Sequence, residues 1–341
     1  MTDHSIEISV KGKWIRVPAL DVNGRKVVVR GKWIRVAAIH DEFWQESAIE
    51  DPGLWVRKLK EQKLGALHAD IFTFTQKLPA TLPKYQYPME WDSVAAIRLT
   101  SFKDWWEKLP QETRKNVRRS QKRGVVVKVK GFDDDLIKAI ASVNDDSPLR
   151  QGVPNIHFGK SLEQVKKDEG SFLDRSDFVC AYLEGEVIGF VKLVYCGEVA
   201  AILNFVSKVS QFDNRPANAM IAKAVEVCDS KGVSYVTYGM FNYGNKRESP
   251  LRQFKIRNGF EEILVPRFYV PLTTKGRLYM KFGLHRGLLG ILPPTVIAVG
   301  VSTRANWHGF KRSMSRCSSI LERPNRKRQM ERSNPPAGSN A

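Results

Sequence analysis

The sequence predicts an α+β protein in which helices flank a mixed β-sheet, and the spacing of apolar residues carries this prediction. Two apolar runs, 178–183 and 187–195, flank a Glu-Gly-Glu turn, an arrangement typical of a β-hairpin. A third apolar run, 199–206, extends the antiparallel meander. Apolar residues then recur at helical spacing over 216–230, which predicts a helix that crosses over to a further strand.

The elements after this crossover follow from similar signals. Residues 233–238 form an apolar run behind a Lys-Gly stop signal, so they predict a strand parallel to the third run. Residues 249–257 predict a second helix that ends at an Asn-Gly pair, and Phe260 begins a last strand. The predicted core is therefore three antiparallel strands, a crossover helix, a parallel strand and another helix.

Composition and charge limit the classes of function. A chain of 341 residues is long enough for two domains with cores of their own, and 42% hydrophobic residues exclude a mostly disordered protein. The net charge of +19 concentrates in 114–123, which has no acid, and in 275–332, where thirteen Lys or Arg oppose two Glu. This excess predicts an anionic partner and leaves CoA phosphates, a nucleotide-linked substrate, tRNA and an acidic lipid surface open.

The cysteines and the first residues bear on the compartment. The four cysteines have no paired metal-ligand spacing, so no metal is expected. Three of them lie inside apolar runs, which favours reduced, buried thiols and a cytoplasmic protein. The first ten residues are polar, so no signal peptide is expected.

An internal repeat marks residues 1–40. The sequence Val-Lys-Gly-Lys-Trp-Ile-Arg-Val at 10–17 returns at 29–36 as Val-Arg-Gly-Lys-Trp-Ile-Arg-Val, with an Asn-Gly pair between the copies. Alternating residues on both sides of Asn-Gly predict a β-hairpin arm. A small structural sheet or docking arm is the favoured interpretation, and a basic, aromatic binding surface is the alternative.

Residues 41–144 alternate between helical and extended patterns. The predicted elements are, in order, helices at 41–44 and 52–62, a strand at 69–75, an extended loop at 82–88, a strand at 94–99, helices over 101–123 with a break at Pro110, a strand at 125–129 and a helix at 133–144. The basic helix within 101–123 is either a solvated surface or an anion-binding element.

A polar loop at 148–160 contains candidate substrate contacts. Arg150 can hold a phosphate or a carboxylate bidentately, and His157 can move a proton near neutral pH, which makes it a candidate catalytic residue. Gln151 and Lys160 are further candidates for contact with a substrate. A surface or packing role is the alternative for these residues.

The order of elements resembles the core of the GNAT acyltransferase fold over about residues 40–275. The stretch 254–260, Phe-Lys-Ile-Arg-Asn-Gly-Phe, looks like the end of the last GNAT helix. Its Phe-Lys pair and the chain length resemble the FemAB-like group more narrowly. The resemblance implies that strands 199–206 and 233–238 diverge, with the pantetheine arm of acyl-CoA between them.

With this resemblance the chain divides into five predicted segments. They are a β-hairpin arm (1–40), a degenerate first GNAT-like half (41–130), a GNAT-like acyltransferase domain (131–275), tail helices (276–312) and a disordered basic tail (313–341). Within the tail, 287–301 is uncharged but too short to span a bilayer comfortably. A helix that docks on the domain is favoured there, with peripheral contact to an anionic membrane as the alternative.

Transfer from an acyl thioester to an amine requires a positioned thioester, a polarised carbonyl and an unprotonated amine. In GNAT proteins the main chain of a core strand and of the loop before the crossover helix grips the donor. The resemblance assigns this role here to five residues: Val206, Ser207, Arg215, Ala217 and Asn218. The loop has no glycine, and Pro216 removes one amide donor. This departure leaves aminoacyl-tRNA, the donor of some FemAB-like proteins, as an alternative to acyl-CoA.

The remaining candidates act on the reacting groups. Asn204 can orient a water or a substrate, or be a satisfied core amide. In GNAT enzymes a tyrosine often protonates the leaving thiolate, and Tyr243 is the first candidate here and Tyr238 the second. Lys255 matches the lysine of the FemAB-like Phe-Lys pair, where a cation can stabilise an oxyanion, with a surface lysine as the alternative. Glu248 is the nearest possible base, or a helix cap.

The leading hypothesis is a cytoplasmic N-acyltransferase that uses acyl-CoA, with acetyl-CoA the expected co-substrate. Its acceptor would be a small amine, such as an amino sugar or a cell-envelope precursor. The alternative is an aminoacyl-tRNA-dependent transferase of the FemAB-like kind. A second alternative is an inactive GNAT-like module that binds a polyanion.

Overall fold

The computed structural model describes residues 5–10, 12–150, 152–242 and 249–284. In chain order the strands are β1 (Ser5–Val10), β2 (Lys13–Val22), β3 (Arg25–Arg30), β4 (Val36–Ile39), β5 (Ile71–Thr75), β6 (Met89–Arg98), β7 (Val126–Lys130), β8 (Leu149–Arg150), β9 (Val153–Pro154), β10 (Ser176–Leu183), β11 (Glu186–Cys196), β12 (Val199–Ser207), β13 (Tyr235–Met240) and β14 (Glu261–Pro271). The helices are α1 (Pro52–Glu61), α2 (Phe102–Lys108), α3 (Gln111–Lys122), α4 (Asp134–Asn144), α5 (Leu162–Glu169), α6 (Pro216–Ser230), α7 (Pro250–Arg257) and α8 (Thr274–Lys281).

Twelve of the described strands form one mixed sheet. Their order is β1-β2-β3-β4-β5-β14-β6-β13-β12-β11-β10-β7, and β8 pairs with β9 separately. The pairs β4–β5 and β12–β13 are parallel, whereas the meander β10–β11–β12 is antiparallel as expected. The α+β class predicted from the sequence is therefore confirmed.

Two apolar clusters cover opposite faces of the sheet around β10–β12. On one face, α2, α3 and α6 bury Trp105, Val117 and Met220 against the sheet. On the other face, α4 packs with Ile140 against Phe178 of β10. Because successive side chains of a strand point to opposite faces, neighbouring residues of β12 meet different surroundings.

The turns that the sequence predicted have the backbone that a tight hairpin needs. Asn23 and Gly24 have φ of 51° and 76°, and Glu184 and Gly185 have φ of 51° and 84°. Two successive residues with positive φ match the right-handed twist of the flanking strands. Both predicted hairpins, β2–β3 and β10–β11, are confirmed.

The repeated octapeptide does not adopt a repeated structure. Trp14 of the first copy lies in β2 and pairs with Ser9 of β1, whereas Trp33 of the second copy lies in a loop and is 88% exposed. The second copy turns at Gly31, where φ is 104°, and the main-chain N–H of Arg35 donates to the carboxylate of Asp70. Tertiary partners therefore override identical local sequence. The strands of residues 1–40 continue the main sheet, and their status as a separate domain stays a prediction.

Several predicted boundaries differ from the structure. β6 begins at Met89, before the predicted 94–99, because it pairs with β14 from Glu261 to Phe268. β13 begins at Tyr235 and reaches Met240, and the predicted helix at 41–44 is a single 3₁₀ turn. The short β8–β9 ladder was not predicted.

The described part of the chain bears on the expectations for the thiols and the tail. Cys180, Cys196 and Cys228 are free and buried, which confirms that expectation. Among the described helices, none combines the length and the apolar character that crossing a bilayer requires. The uncharged stretch 287–301 and the predicted disordered tail lie outside the described residues.

Candidate active site

The parallel strands β12 and β13 separate after a short paired segment. Their pairing covers only Val199–Tyr235, Ala200–Val236 and Ala201–Thr237, although β12 continues to Ser207. The predicted divergence of these strands is confirmed. A gap in the sheet therefore opens beside the second half of β12.

An irregularity of β12 lies at this opening. β11 pairs Leu193 with Ile202 and Lys192 with Asn204, so β12 has one extra residue, Leu203, between these two pairs. A bulge bends the strand and turns its side chains and main-chain groups to new directions, which is common beside active sites. The bulge helps β12 to leave β13 at this point.

Aromatic rings line the gap on the α6 side of the sheet. The ring of Phe205 lies 5.7 Å from that of Tyr238 and 5.6 Å from that of Phe254. All three rings pack against the apolar cluster that contains α6. The gap thus has an aromatic wall on this side, and Tyr238 is part of it.

Lys255 is buried beside this wall, contrary to the surface alternative. Its side chain is fully buried, its Nζ donates to the carbonyl oxygen of Met240 at 2.6 Å, and it lies 4.6 Å from the centre of the Tyr238 ring. Burial lowers the pKa of Lys255 to about 8. A lysine with this pKa can exchange a proton near neutral pH, and its catalytic role stays a prediction.

Asn204 faces the opposite side of the sheet and meets a carboxylate there. Its Nδ2 donates to Oε1 of Glu169 at 2.7 Å, at the end of α5. Glu169 is 2% exposed, burial raises its pKa, and its Oε2 has no hydrogen-bond partner among the described residues. The strand has no carboxylate of its own, so tertiary packing supplies one.

A second buried lysine holds the main chain of Glu169. Nζ of Lys192, the cross-strand neighbour of Asn204, donates to the main-chain oxygens of Glu169 at 2.5 Å and Ser171 at 2.6 Å. Burial lowers the pKa of Lys192 to about 8. A cation at the carboxyl end of α5 complements the helix dipole and fixes the position of Glu169.

Asn204 lines a cavity of about 510 Å³, here called the Asn204 cavity. Its walls come from β1, β2, the β4 end, the loop after α4 and the end of α5, with the ionisable and aromatic lining residues Trp14, Arg30, His40, Asp41, Glu42, Phe43, Trp44, His157, Lys160, Asp168 and Phe172. The cavity brings the predicted residues Asn204, His157 and Lys160 together. A volume of this size suits a small ligand or part of a larger one.

Charged groups in the Asn204 cavity are mostly paired. Asp168 accepts a hydrogen bond from Nε1 of Trp14 at 2.7 Å and forms an ion pair with Lys160. Nε2 of His40 lies 3.4 Å from the Asp41 carboxylate. Burial, with Lys160 nearby, lowers the pKa of His157, so its imidazole is neutral at neutral pH and can accept a proton.

Two of the five described non-glycine residues with positive φ line this cavity. Asp41 and Phe172 have φ of 54° and 55° and both line it. Positive φ is rare for a bulky residue, and such residues persist where the surrounding structure holds them, often at functional sites. These two residues are consistent with a functional role for the cavity, which stays a prediction.

Arg150 engages the protein rather than an open surface. Its Nη1 donates to the carbonyl of Ser207 at 2.8 Å and its Nη2 to that of Val143 at 3.0 Å. The bidentate capacity expected for a phosphate or carboxylate thus serves main-chain carbonyls, which joins the end of β12 to α4. Substrate contact by Arg150 stays a prediction that this geometry disfavours.

An acid from the loop after α4 occupies the start of the loop before α6, the loop predicted to bind the donor. Asp146 accepts hydrogen bonds from the N–H groups of Val209 at 2.6 Å and Ser210 at 3.2 Å. Arg215 has φ of 55° and begins α6 without a side-chain cap. The amides of Val209 and Ser210 are therefore already used. An anion that binds here would contact Arg215 and the first turn of α6.

The other predicted donor contacts lie around the same strand end and helix start. Asn218 donates from its Nδ2 to Oδ1 of Asn258 at 3.1 Å, and Ala217 lies in the first turn of α6. Ser207 is 8% exposed, and Val206 packs against the cluster formed by α4 and α5. Donor binding by these residues stays a prediction.

Three predicted residues, Gln151, Tyr243 and Glu248, lie outside the described residues. Sequence reasoning missed a larger set that surrounds Asn204: Trp14, His40, Asp41, Asp168, Glu169 and Lys192. No local signal marked these residues except the tryptophan repeat, because their partners are distant in the chain.

Comparison with known proteins bears on the fold. No family model and no curated protein matches the chain. The C-terminal domain of a putative lysylphosphatidylglycerol synthetase from Agrobacterium fabrum is similar in structure, with a TM-score of 0.50 and 14% identity over 76% of this chain and 84% of that chain. FemX gives a TM-score of 0.50 and 11% identity over 82% and 89% of the two chains.

A third similar structure is a conserved protein of unknown function from Bacteroides thetaiotaomicron. Its TM-score is 0.50, with 12% identity over 74% of this chain and 85% of that chain. At these identities the similarity concerns the fold alone. The chain has a GNAT-like mixed sheet flanked by helices, as the sequence predicted.

Proposed function

We propose that this protein is an N-acyltransferase that transfers an acyl group from acyl-CoA to an amine acceptor. The observation that carries the proposal is the divergence of β12 from β13 at the Leu203 bulge, with Asn204 facing the Asn204 cavity. In this proposal the rings of Phe205 and Tyr238, 5.7 Å apart, separate to admit a thin acyl-bearing arm, and an acceptor in the cavity attacks its carbonyl carbon from the other side. The acceptor class proposed is an amino sugar or another cell-envelope precursor.

In this proposal the acceptor side supplies the base. The amine nitrogen attacks the thioester carbonyl, and neutral His157 takes its proton. Asn204, held by Glu169, keeps its carbonyl oxygen for an N–H of the amine. The C–N bond forms as the C–S bond breaks, and the acyl group passes to the acceptor.

The donor side stabilises charge in this proposal. Lys255 in its protonated form stabilises the developing oxyanion or protonates the leaving thiolate. Tyr238, beside Lys255, is an alternative proton donor to the leaving thiolate. Tyr243 is proposed for the same role on the basis of the sequence. Arg215 and the first turn of α6, with Ala217 and Asn218, are the proposed contacts of the donor phosphates.

A second candidate donor is aminoacyl-tRNA, as in the FemAB-like group. Two observations favour it: Asp146 occupies the amides of Val209 and Ser210, and α3 presents exposed cations such as Arg118, Arg119 and Lys122 without an ion pair among the described residues. Such a surface suits a nucleic-acid backbone. The name lysylphosphatidylglycerol synthetase, borne by a similar structure, also denotes transfer of an aminoacyl group.

Calorimetric titration of the full chain with acetyl-CoA, longer acyl-CoAs, charged tRNA and uncharged tRNA tests these donors. Micromolar acyl-CoA binding that weakens in Arg215→Met, the proposed phosphate contact, supports the first proposal. Preference for charged over uncharged tRNA supports the second. Binding of either donor without transfer to an amine in a parallel turnover assay favours the inactive, polyanion-binding module, and no binding at all rejects both donors.

We propose a cytoplasmic location for this protein, because both candidate donors are cytoplasmic molecules. The buried, free thiols agree with the same compartment.

A further inference from the structure

A surface distinct from the Asn204 cavity combines exposed apolar side chains with cations. Its apolar members, here called the Trp33 surface, are Trp33 (88% exposed), Leu64 (89%), Phe282 (63%) and Leu278 (55%). They come from the loop after β3, the loop after α1 and the region of α8. Large apolar side chains exposed on neighbouring segments can mark an interaction site.

Hydrogen bonds join the three segments that carry this surface. Arg35 donates from Nη1 to the carbonyl of Gly65 at 2.7 Å, which attaches the loop of Leu64 to the loop of Trp33. Lys275 at the start of α8 donates to the carbonyl of Trp33. The three segments that carry these side chains are therefore neighbours on the surface.

Asp70, which is 4% exposed, is the common anchor of the loop and the helix. Its carboxylate accepts the N–H of Arg35 at 3.0 Å and the hydroxyl of Thr273 at 2.9 Å. Gly276 lets α8 approach closely, because a Cβ at that position would lie 2.0 Å from the Asp70 carbonyl oxygen. The Trp33 surface thus rests on a fixed base.

Cations are interleaved with the apolar groups. On α8, Arg277, Leu278, Lys281 and Phe282 follow the i, i+1, i+4, i+5 spacing that brings residues to one helix face. Lys32 and Lys63 are exposed next to Trp33 and Leu64 in the chain. In the sequence, ten further Lys or Arg follow this helix between 286 and 332.

We propose that the Trp33 surface binds the face of an anionic phospholipid bilayer. In this arrangement Trp33, Leu64, Leu278 and Phe282 enter the headgroup region, and the flanking cations contact lipid phosphates. An aromatic ring at the interface, aliphatic groups below it and Lys or Arg around it are the features that peripheral membrane binding requires.

A lipid surface fits these groups better than a nucleic acid. Single-stranded nucleic acids stack their bases on aromatic rings, and Leu64 and Leu278 offer no such ring. Aliphatic side chains gain free energy mainly by leaving water, which a bilayer permits. The proposal is independent of the transferase function, although an acceptor in the cell envelope would be reached from such a surface.

Co-sedimentation of the full chain with vesicles tests the proposal. Vesicles of phosphatidylcholine with about one third phosphatidylglycerol are compared with phosphatidylcholine alone. We expect binding to the anionic vesicles, and a decrease of about tenfold or more in the triple variant Trp33→Ser, Leu278→Ser, Phe282→Ser. Leu82→Ser is the matched control, because Leu82 is also exposed (81%) but lies away from the Trp33 surface. Its main-chain oxygen accepts a hydrogen bond from Nε2 of Gln76, which follows β5, whereas Asp70, the anchor of the Trp33 surface, precedes β5.

Two further arms separate the alternatives. At high salt, which screens electrostatic attraction, the residual vesicle binding should disappear in the triple variant but not in Leu82→Ser. Brominated lipid should quench the tryptophan fluorescence of the wild-type chain. The quenching should be weaker in Trp33→Phe and as strong as in the wild type in Trp14→Phe.

Equal vesicle binding by the wild type and the triple variant overturns the proposal and assigns any binding to the basic tail. RNA binding is measured for the wild type and the triple variant as well. If the triple variant loses RNA binding but keeps vesicle binding, the proposal is overturned in favour of a nucleic acid. If the triple variant fails to fold, Trp33→Ser and Leu64→Ser singly provide the same test, because each removes an exposed side chain.

Discussion

The side-chain amide of Asn204 on β12 donates to the carboxylate of Glu169 at 2.7 Å, across 35 residues of sequence. A diverging strand that has no acid of its own thereby receives one from α5. Because one N–H of the Asn204 amide donates to Glu169, the orientation of the amide is fixed, and its carbonyl oxygen is the acceptor proposed to contact a ligand in the cavity. The relationship links the carboxyl end of a helix to the point where the sheet opens.

Glu169 is expected to position Asn204 rather than to act as a base. Glu169→Gln keeps an acceptor oxygen and removes a charge that burial disfavours, so kcat should stay within about threefold of wild type. Glu169→Leu removes the acceptor and should lower kcat about tenfold or more. Steady-state kinetics check this prediction, and a Gln variant as damaged as the Leu variant would show that the carboxylate itself takes the proton.

The same burial gives a stability prediction of definite sign. The pKa of Glu169 is raised in the folded protein, so folding favours its neutral form and stability is lost as the pH rises above 4.5, the ordinary pKa of the group. At pH about 7 the Glu169→Gln variant should therefore be at least as stable to urea as the wild type. At pH about 4 its stability relative to the wild type should be lower than at pH about 7. A Gln variant that is less stable at both pH values would contradict this sign.

His157 is expected to be the base for the acceptor amine. Its pKa is lowered by burial and by Lys160, with Asp168 opposing and Arg150 adding to this effect. The rate should therefore rise with pH through a pKa below 6.5, and His157→Asn should lose this limb and about ten- to a hundredfold in kcat. His68→Asn, which alters a histidine outside the Asn204 cavity, is the control and should leave the pH profile unchanged.

The two tryptophans of the repeat provide a matched pair of variants. Trp14→Phe removes the hydrogen bond to Asp168 at 2.7 Å, so the KM for the acceptor should rise about three- to tenfold and stability should fall by about 1 kcal/mol. Trp33→Phe alters an exposed ring and should change neither. If the two substitutions change the KM equally, the N-terminal strands do not form part of the acceptor site.

Buried lysines should make the protein more stable at alkaline pH. Burial lowers the pKa of Lys77, Lys192 and Lys255 to about 8 from 10.5, so the unfolded chain binds more protons between these values. Each lysine should raise the free energy of unfolding by about 1 kcal/mol per pH unit in this window, while the buried thiols of Cys180 and Cys228, whose pKa burial raises from 9.0 to about 12, should oppose this rise above pH about 9. Urea unfolding of wild type and Lys255→Met from pH about 7.5 to about 9.5 checks this, and equal slopes would contradict the assignment to Lys255.

Close packing of α8 on the core predicts an intolerant glycine. Gly276→Ala would bring a Cβ to 2.0 Å from the carbonyl oxygen of Asp70, so it should cost about 2 kcal/mol or more of stability. Gly131→Ala is the control, since nothing lies within 4 Å of its added Cβ. Thermal unfolding midpoints of both variants measure the difference, which should be clear if α8 rests on Asp70 in solution.

Local signals were sufficient for much of the fold. The Asn23–Gly24 turn and the break at Pro110 depend on the conformational preferences of a few adjacent residues, and both occur where the sequence predicted them. Boundaries that depend on a distant partner were less accurate, as for β6, whose length is decided by β14. The repeat was the most misleading signal, because Trp14 and Trp33 have identical neighbours and different tertiary contacts.

The sequence by itself determined the class and the order of elements, because hydrophobic periodicity and turn chemistry are local properties, whereas the divergence of β12 from β13 was implied by the resemblance to the GNAT fold. Only the tertiary structure decided which side chains meet. Trp14 and Asp168 are 154 residues apart, and Glu169 reaches Asn204 through the packing of α5 on the sheet. Register and packing between remote segments, which no short stretch of sequence encodes, therefore assemble the cavity that the proposed chemistry requires.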